Sequence, residues 1–478
     1  MRDYLLFYVN GQEHRVGGQD VFSPLSTYLR YGQGCTGTKV VCAEGDCGAC
    51  TVLIGRAAGG TVEYMPVNSC IQFLYQLDCT HVVTIEGLKV EGKLNPVQEA
   101  MVDFHGAQCG YCTPGIVVAL CSLFDCKTQA DEQDVKDALT GNLCRCTGYE
   151  PIIRAGMNVA LERVRSTGEL YPPQEMIARF GEHQGRPALI ASEGKTCFIP
   201  ATVEEAVDFK EKNPGTVIVS GGTDVCVNIN KRGLDPDVIM SLSNIAGLSD
   251  VKVENSHLVV GGRASLAALA DWAREEMPEL YKIMWLFGSP QIRNAGTLAG
   301  NIANGSPIAD TLPWLFVMEA VVEMTGPAGK RLIDINSLYK GYKQLDMAPG
   351  EIITRILIPL PENNETIRLF KVSKRQNLDI SAFAAAIRMT IEAGKIHSAK
   401  LAYGGVGPVV LRLPKTEAFL EGKEAALTTF GNAGKLAREE ITPISDVRGS
   451  KDFRLQLAEN IMLKFFLETA CGREPVCR

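Results

Sequence analysis

The chain begins with an apolar run, Leu5–Val9, then Asn10-Gly11, then the more polar run Gln12–Val16. Two β-prone runs separated by Asn-Gly predict a hairpin, because such turns need positive φ and these residues tolerate it. Ser23-Pro24-Leu25 through Leu29 predicts a short helix, with Ser as cap and Pro in the first position. Apolar and β-branched runs at 51–54, 62–65 and 81–85 predict strands. From about residue 95 the pattern turns helical, with helices expected over about 95–105, from 113, over 131–139, and from about 150. The stretch Tyr171-Pro172-Pro173 to Gly185-Arg186-Pro187 is polar and rich in breakers, and predicts a linker. Beyond it a helix is expected over Val203–Lys212 and strands at 216–219, 369–373, 382–390 and 400–406. Further helices are expected from about 416 and over about 452–469.

At 478 residues, 46% hydrophobic and 22% charged, the composition is that of globular protein with room for about three domains. A net charge of −7 argues against nucleic acid or anionic membrane as the main partner. No apolar run approaches the ~20 residues of a bilayer span. The start, Met1-Arg2-Asp3-Tyr4, lacks the long apolar core of a signal peptide, so a cytoplasmic protein is expected.

Cysteine changes the picture. Twelve of the 16 cysteines lie between Cys35 and Cys146, and the others are Cys197, Cys226, Cys471 and Cys477. In a cytosolic chain they are expected as thiols or metal ligands rather than disulfides. Cys42, Cys47 and Cys50 form C-x4-C-x2-C, and Cys70 follows at a distance, which is the plant-type [2Fe–2S] spacing. Three thiolates can converge on a small anionic cluster only if the loop takes positive φ, and Gly45 and Gly48 permit this. Helix plus small mixed sheet predicts a β-grasp ferredoxin domain over 1–85. The alternative is a zinc site or unliganded thiols, although structural zinc usually joins two short C-x2-C knuckles. Cys35 reads as a bystander thiol.

A second set follows in the helical region 86–165, which reads as a four-helix domain. Cys109 and Cys112 precede one expected helix, and Cys144 and Cys146 precede another. Helix N-termini offer free N–H groups and a positive dipole end, suited to a thiolate-ligated cluster. The spacing alone leaves zinc open. Cys121 and Cys126 fall within or at the end of the intervening helix and read as core or surface thiols. Cys471 and Cys477 read as mobile thiols near the end of the chain.

In the second half, the expected strand at 216–219 runs into Ser220-Gly221-Gly222-Thr223-Asp224, a turn whose main chain can approach a phosphate or which is simply a turn. Gln291 to Asp310 is rich in small and amide residues, reads as a loop, and includes Thr297, Asn301 and Ser306-Pro307, where a helix is expected to start.

The strings Gln108-Cys-Gly-Tyr-Cys-Thr-Pro-Gly115 and Gly141-Asn-Leu-Cys-Arg-Cys-Thr-Gly-Tyr149 resemble those of the molybdenum hydroxylase family, which includes xanthine dehydrogenase and aldehyde oxidase. The two later strings resemble that family's FAD domain, of vanillyl-alcohol-oxidase type. The resemblance implies a multidomain α+β chain: 1–85 and 86–165 each holding a [2Fe–2S] cluster, 166–192 a linker, 193–365 binding FAD, and 366–478 a small α+β C-terminal domain. It implies that Gly221, Gly222, Thr223 and Asp224 wrap the pyrophosphate. Thr297, Asn301, Ser306 and Asp310 would line the remaining FAD, with Phe287 and Lys371 beside the isoalloxazine. Pro290 interrupts the usual pattern next to Phe287, whose alternative role is a core aromatic.

The fusion of clusters and flavin in one chain resembles the xanthine dehydrogenase type, in its bacterial form with a separate large molybdopterin-binding subunit. The role implied is electron transfer from the partner's molybdenum through the two clusters and FAD to NAD+, within a dimer of heterodimers. No residue of this chain is assigned to hydroxylation. Rival readings are the same role for an aldehyde or another N-heterocycle, a stand-alone redox carrier, or a zinc-stabilised scaffold.

Overall fold

In the computed structural model, which describes residues 1–470, Asn10 and Gly11 take φ of 50° and 82° and close the expected hairpin. Its strands, Leu5–Val9 and Gln12–Val16, lie at one side of a five-stranded mixed sheet. The order runs Gln12–Val16, Leu5–Val9, Thr80–Val83, Thr51–Ala58, Thr61–Asn68, and only the pair Leu5–Val9 with Thr80–Val83 is parallel. Leu5, Phe7, Val52, Ile54 and Val82 fill the core on one face. The helix expected over 23–29 is an α-turn, Leu25–Thr27, that widens into a π-turn, Tyr28–Gly32, and no side chain caps it.

The segment 166–192, expected to be a linker, is folded. The helices Thr167–Leu170 and Gln174–Gly181 lead to the strand Ala188–Ser192. Met176 and Phe180, four residues apart and so on one helix face, are buried against Leu6 and Tyr8. Tyr171 donates its hydroxyl to the Gly87 carbonyl at 2.8 Å. The prolines and glycines punctuate these elements rather than loosening them.

Four helices, Pro96–Asp103, Thr113–Cys126, Glu132–Ala138 and Glu150–Met157, pack around Val97, Ile116, Leu120, Val135 and Ile152. A second sheet follows in the order Ala188–Ser192, Lys195–Ile199, Val238–Ser241, Val217–Val219. Backbone contacts group these elements, Met1–Ala246, with the short stretch Gly288–Gly296 as one unit. Gly247–Phe287 and the described residues from Thr297 onward make the other.

The second unit holds a five-stranded antiparallel sheet, ordered Val251–Glu254, His257–Gly261, Ile352–Pro359, Val321–Gly326, Gly329–Asp334. Its core includes helices Leu266–Glu276 and Leu312–Val317, with Trp314 fully buried. A four-stranded sheet, Glu365–Val372, Phe383–Glu392, Lys395–Gly404, Leu411–Arg412, then packs on helices Leu427–Glu439 and Lys451–Ala470 through Phe383, Tyr403, Phe430 and Phe465.

Two expectations are corrected in the stretch 291–310. It contains the helices Pro290–Ala295 and Leu298–Asn304 rather than an open loop. No helix starts at Ser306-Pro307. Gly305 at φ 59° ends the preceding helix, Ser306 to Thr311 is turn, and the next helix begins at Leu312. Among the described residues no helix is long and apolar enough to cross a membrane. Cys471 and Cys477 lie outside the described residues.

Candidate iron–sulfur and flavin sites

The loop from Cys42 to Cys50 depends on positive φ at Ala43 (54°), Gly45 (79°) and Gly48 (67°). A Cβ on Gly48 would lie 2.1 Å from the Gly141 carbonyl, so only glycine fits there. Cys50 is buried at the start of the strand Thr51–Ala58, and Cys70 is buried in the turn Ser69–Ile71. The thiols touch in pairs, Cys42 with Cys47 and Cys50 with Cys70, and a Cys42–Cys70 contact joins the pairs. Contacts from Cys47 and Cys70, then main-chain N–H groups of Glu44 and Cys47, hold the Cys42 thiol far below the usual range. The hydrogen bond with Cys42 and then burial push Cys47 up, and hydrogen bonds with Cys42 and Cys50 and then burial push Cys70 up. Two amides brace the loop: Asn68 donates to the Gly45 carbonyl at 2.8 Å, and Asn230 to the carbonyls of Ala43 at 3.0 Å and Cys70 at 2.8 Å. Cys35 stands outside the set, its pKa raised by burial and then by Glu86.

The second set also forms pairs. The Cys109 and Cys146 sulfurs are 3.5 Å apart, and Cys112 meets Cys144. Cys112 immediately precedes the helix Thr113–Cys126, as expected. Cys144 and Cys146 lie in a loop that reaches the helix Glu150–Met157 through Tyr149, at φ 71°. The Tyr149 hydroxyl accepts the Cys144 N–H at 2.9 Å. Burial raises the Cys144 pKa, but hydrogen bonds from Thr147 and the Cys146 N–H outweigh it and the thiol is lowered. Burial and then Cys144 push Cys112 up to about 12. Cys109 and Cys146 are exposed. Cys121 is buried beside Asn95 and Cys126 is exposed at its helix end, both apart from the set.

The two loops meet. The Leu143 N–H donates to the Cys47 carbonyl at 3.0 Å, and a Cβ on Gly115 would lie 2.1 Å from the Gly48 carbonyl. Among the described residues no three His, Cys, Asp or Glu side chains are arranged around one ion. Each set is instead two pairs of sulfur donors, which is how a [2Fe–2S] centre takes its thiolates, two per iron. The residues present fit such a group.

Gly221, Gly222, Thr223 and Asp224 lie between the strand Val217–Val219 and the helix Val225–Arg232, in the first unit. Gly222 is at φ 75°, and a Cβ on Gly221 would lie 1.9 Å from the Ala295 carbonyl. Gln76 backs the turn, donating to the Gly221 carbonyl at 3.1 Å. The other expected flavin residues belong to the second unit. Thr297 caps the helix Leu298–Asn304 by accepting the Gly300 N–H at 3.0 Å. The Thr311 hydroxyl donates to Asn301 at 2.6 Å. Ser306 accepts the Ile308 N–H at 3.4 Å within its turn. Asp310 is bonded by Lys371 on one oxygen and Ser381 on the other, each at 2.5 Å, and both ionic side chains are under a tenth exposed. Phe287 is half-buried at the edge of the core. Ser381, Gln76 and Asn230 carry no sequence signal, because their partners are distant along the chain.

Residues 84–157 match the family model of a [2Fe-2S] binding domain. Residues 192–361 match that of the FAD binding domain in molybdopterin dehydrogenase, and residues 368–469 that of the CO dehydrogenase flavoprotein C-terminal domain. The xanthine dehydrogenase of Emericella nidulans is 29% identical over 524 residues, covering 97% of this chain and 38% of the relative. Aldehyde oxidase 1 of Bos taurus is 30% identical over 525 residues, covering 98% of this chain and 39% of the relative. The chain thus spans about two fifths of the length of these relatives. Of solved structures, reconstituted CO dehydrogenase from Oligotropha carboxidovorans superposes with a TM-score of 0.54 at 28% identity, over 57% of this chain and 96% of that one. The chain is thus a mixed α/β multidomain polypeptide whose successive parts match a [2Fe-2S] binding domain, an FAD binding domain and a flavoprotein C-terminal domain.

Proposed function

We propose that this chain is the small, iron–sulfur/FAD subunit of a xanthine dehydrogenase of bacterial type, relaying electrons from a separate large molybdopterin-binding subunit to NAD+. The observation that carries the reading is the two paired cysteine sets, joined by the hydrogen bond from Leu143 N–H to the Cys47 carbonyl. Cys109, Cys112, Cys144 and Cys146 would hold the cluster facing the partner. Cys109 and Cys146 are exposed, and so are the nearby apolar side chains Leu94, Val102, Tyr111 and Leu143. Cys42, Cys47, Cys50 and Cys70 would hold the other cluster in the β-grasp domain, where burial of Cys50 and Cys70 excludes water.

Gly221, Gly222, Thr223 and Asp224 would take the FAD pyrophosphate, in the turn between the strand Val217–Val219 and the helix Val225–Arg232. Thr297, Asn301, Ser306 and Asp310 would contact the rest, with Phe287 and Lys371 at the isoalloxazine. When bound, the clusters supply one-electron transfer and the flavin joins it to hydride exchange with NAD+. Substrate oxidation belongs to the partner, and the assembly is a dimer of heterodimers. A second reading is the same role in an aldehyde-oxidising enzyme, favoured by the similar identity to an aldehyde oxidase, 30% against 29%.

The test is a visible spectrum with iron, zinc and released flavin quantified on one purified sample. About four irons and one FAD per chain are expected. Zinc without flavin would leave a scaffold, and a coloured chain with no co-purifying molybdenum subunit would leave a stand-alone carrier. Assay of the complex with xanthine against an aldehyde, and with NAD+ against oxygen, separates the two enzymatic readings.

A further inference from the structure

Gln291 lies in the helix Pro290–Ala295, inside the stretch matched by the FAD-binding model, yet it folds with the cysteine-bearing unit. It is 1% exposed. Its Nε2 donates to the Asn142 Oδ1 at 2.9 Å and the Thr51 hydroxyl at 3.3 Å. Asn142 in turn donates to the Gly48 carbonyl at 3.0 Å, and the Thr51 hydroxyl donates to the same carbonyl at 2.6 Å. These bonds fix which way both amides point. The Gly48 carbonyl can only accept, so Asn142 turns its NH2 there and its oxygen toward Gln291, which must then present its own NH2.

The network spans both cysteine loops. Gly48 and Thr51 flank Cys50, and Asn142 is two residues before Cys144. Where the loops meet, a Cβ on Gly48 would lie 2.1 Å from the Gly141 carbonyl, and one on Gly141 would lie 2.0 Å from the Gln291 Oε1. That Oε1 is buried and has no hydrogen-bond partner. A buried unpaired acceptor costs stability, and an apolar side chain of the same size would avoid the cost. The amide therefore does something at this junction that packing alone does not.

We infer that Gln291 is a positioning residue that sets the separation and orientation of the Cys47–Cys50 loop against the Cys144–Cys146 loop. The inference rests on the reading of both loops as cluster ligands. Electron transfer and magnetic interaction between two centres both fall steeply with separation, so a small shift at this junction is measurable.

The experiment uses the full chain as purified with its cofactors. Gln291→Met keeps the volume and removes every donor. Thr51→Val removes one partner without changing shape. Iron and flavin are quantified, and electron paramagnetic resonance spectra are recorded on the fully reduced protein alongside a redox titration. The expected result is full iron and flavin content with an altered interaction broadening between the two reduced clusters, in Gln291→Met and more weakly in Thr51→Val. Spectra and midpoint potentials that superimpose on those of the unaltered chain would overturn the inference. So would loss of iron from both variants with the circular dichroism intact, since that marks a purely structural role. Absence of paired iron–sulfur signals from the unaltered chain would instead sink the cluster reading itself.

Discussion

His81 is completely buried, and its ring is fixed at both nitrogens. Nε2 accepts the Gly11 N–H at 3.0 Å, so Nδ1 carries the hydrogen and donates to the Tyr64 hydroxyl at 2.7 Å. Burial lowers its pKa from 6.5 to about 4. The unfolded chain therefore takes up this proton first as pH falls. The stabilisation due to the neutral ring is complete above about pH 6.5 and is lost down to about pH 4, by about 3 kcal/mol. Chemical-denaturation midpoints across this range should show the loss, and His81→Gln should flatten that part of the profile. An unchanged slope in the variant would assign the acid sensitivity elsewhere. At this scale the sequence was legible where chemistry is local. The cysteine groups could be read because most of their members sit within a few residues of one another. The amides that brace them could not, since the partners of Asn142, Gln291 and Asn230 lie 94, 149 and 187 residues away.

Elements were legible where turn chemistry marked them, as at Asn10-Gly11 and at the helix Pro96–Asp103, whose Asn95 and Gln98 form a capping box. They were misread where breaker residues serve packing. The helix Leu427–Glu439 went unrecognised behind Gly431 and Gly434, yet Gly434 is needed because a Cβ there would lie 2.5 Å from the Glu459 carbonyl of the crossing helix. The stretch 166–192 reads as a linker because its prolines and charges outnumber its few anchoring side chains, yet Met176 and Phe180 fix it to the first sheet. Phe180 discriminates the two views. In a true linker Phe180→Ala would be neutral. As the fully buried contact of Leu6 and Tyr8 it should destabilise the first unit by about 3–5 kcal/mol, read by denaturation.

For the whole molecule, the two cysteine sets differ in exposure: Cys109 and Cys146 are open to solvent, whereas Cys50 and Cys70 are buried. On the proposed two-cluster reading, a chelator or oxidant applied to the loaded chain should remove about half the iron quickly, with the signal of the Cys109 set disappearing first. The proposed large subunit, once added, should slow that phase. Loss of both signals at one rate would contradict the exposure difference.

The first unit is also discontinuous, being completed only by Gly288–Gly296 after an excursion into the second. Asn142 leaves the ribosome 149 residues before its partner Gln291. At about 5–20 residues per second the nascent cysteine loops wait about 7–30 seconds without the amide that closes their junction. The junction between the cysteine loops can therefore close only after residue 291 has been made. A stalled or prematurely terminated chain would offer incompletely braced thiols to the assembly machinery, and splitting the gene at the boundary near Ala246 would leave the cysteine-bearing product short of its last piece.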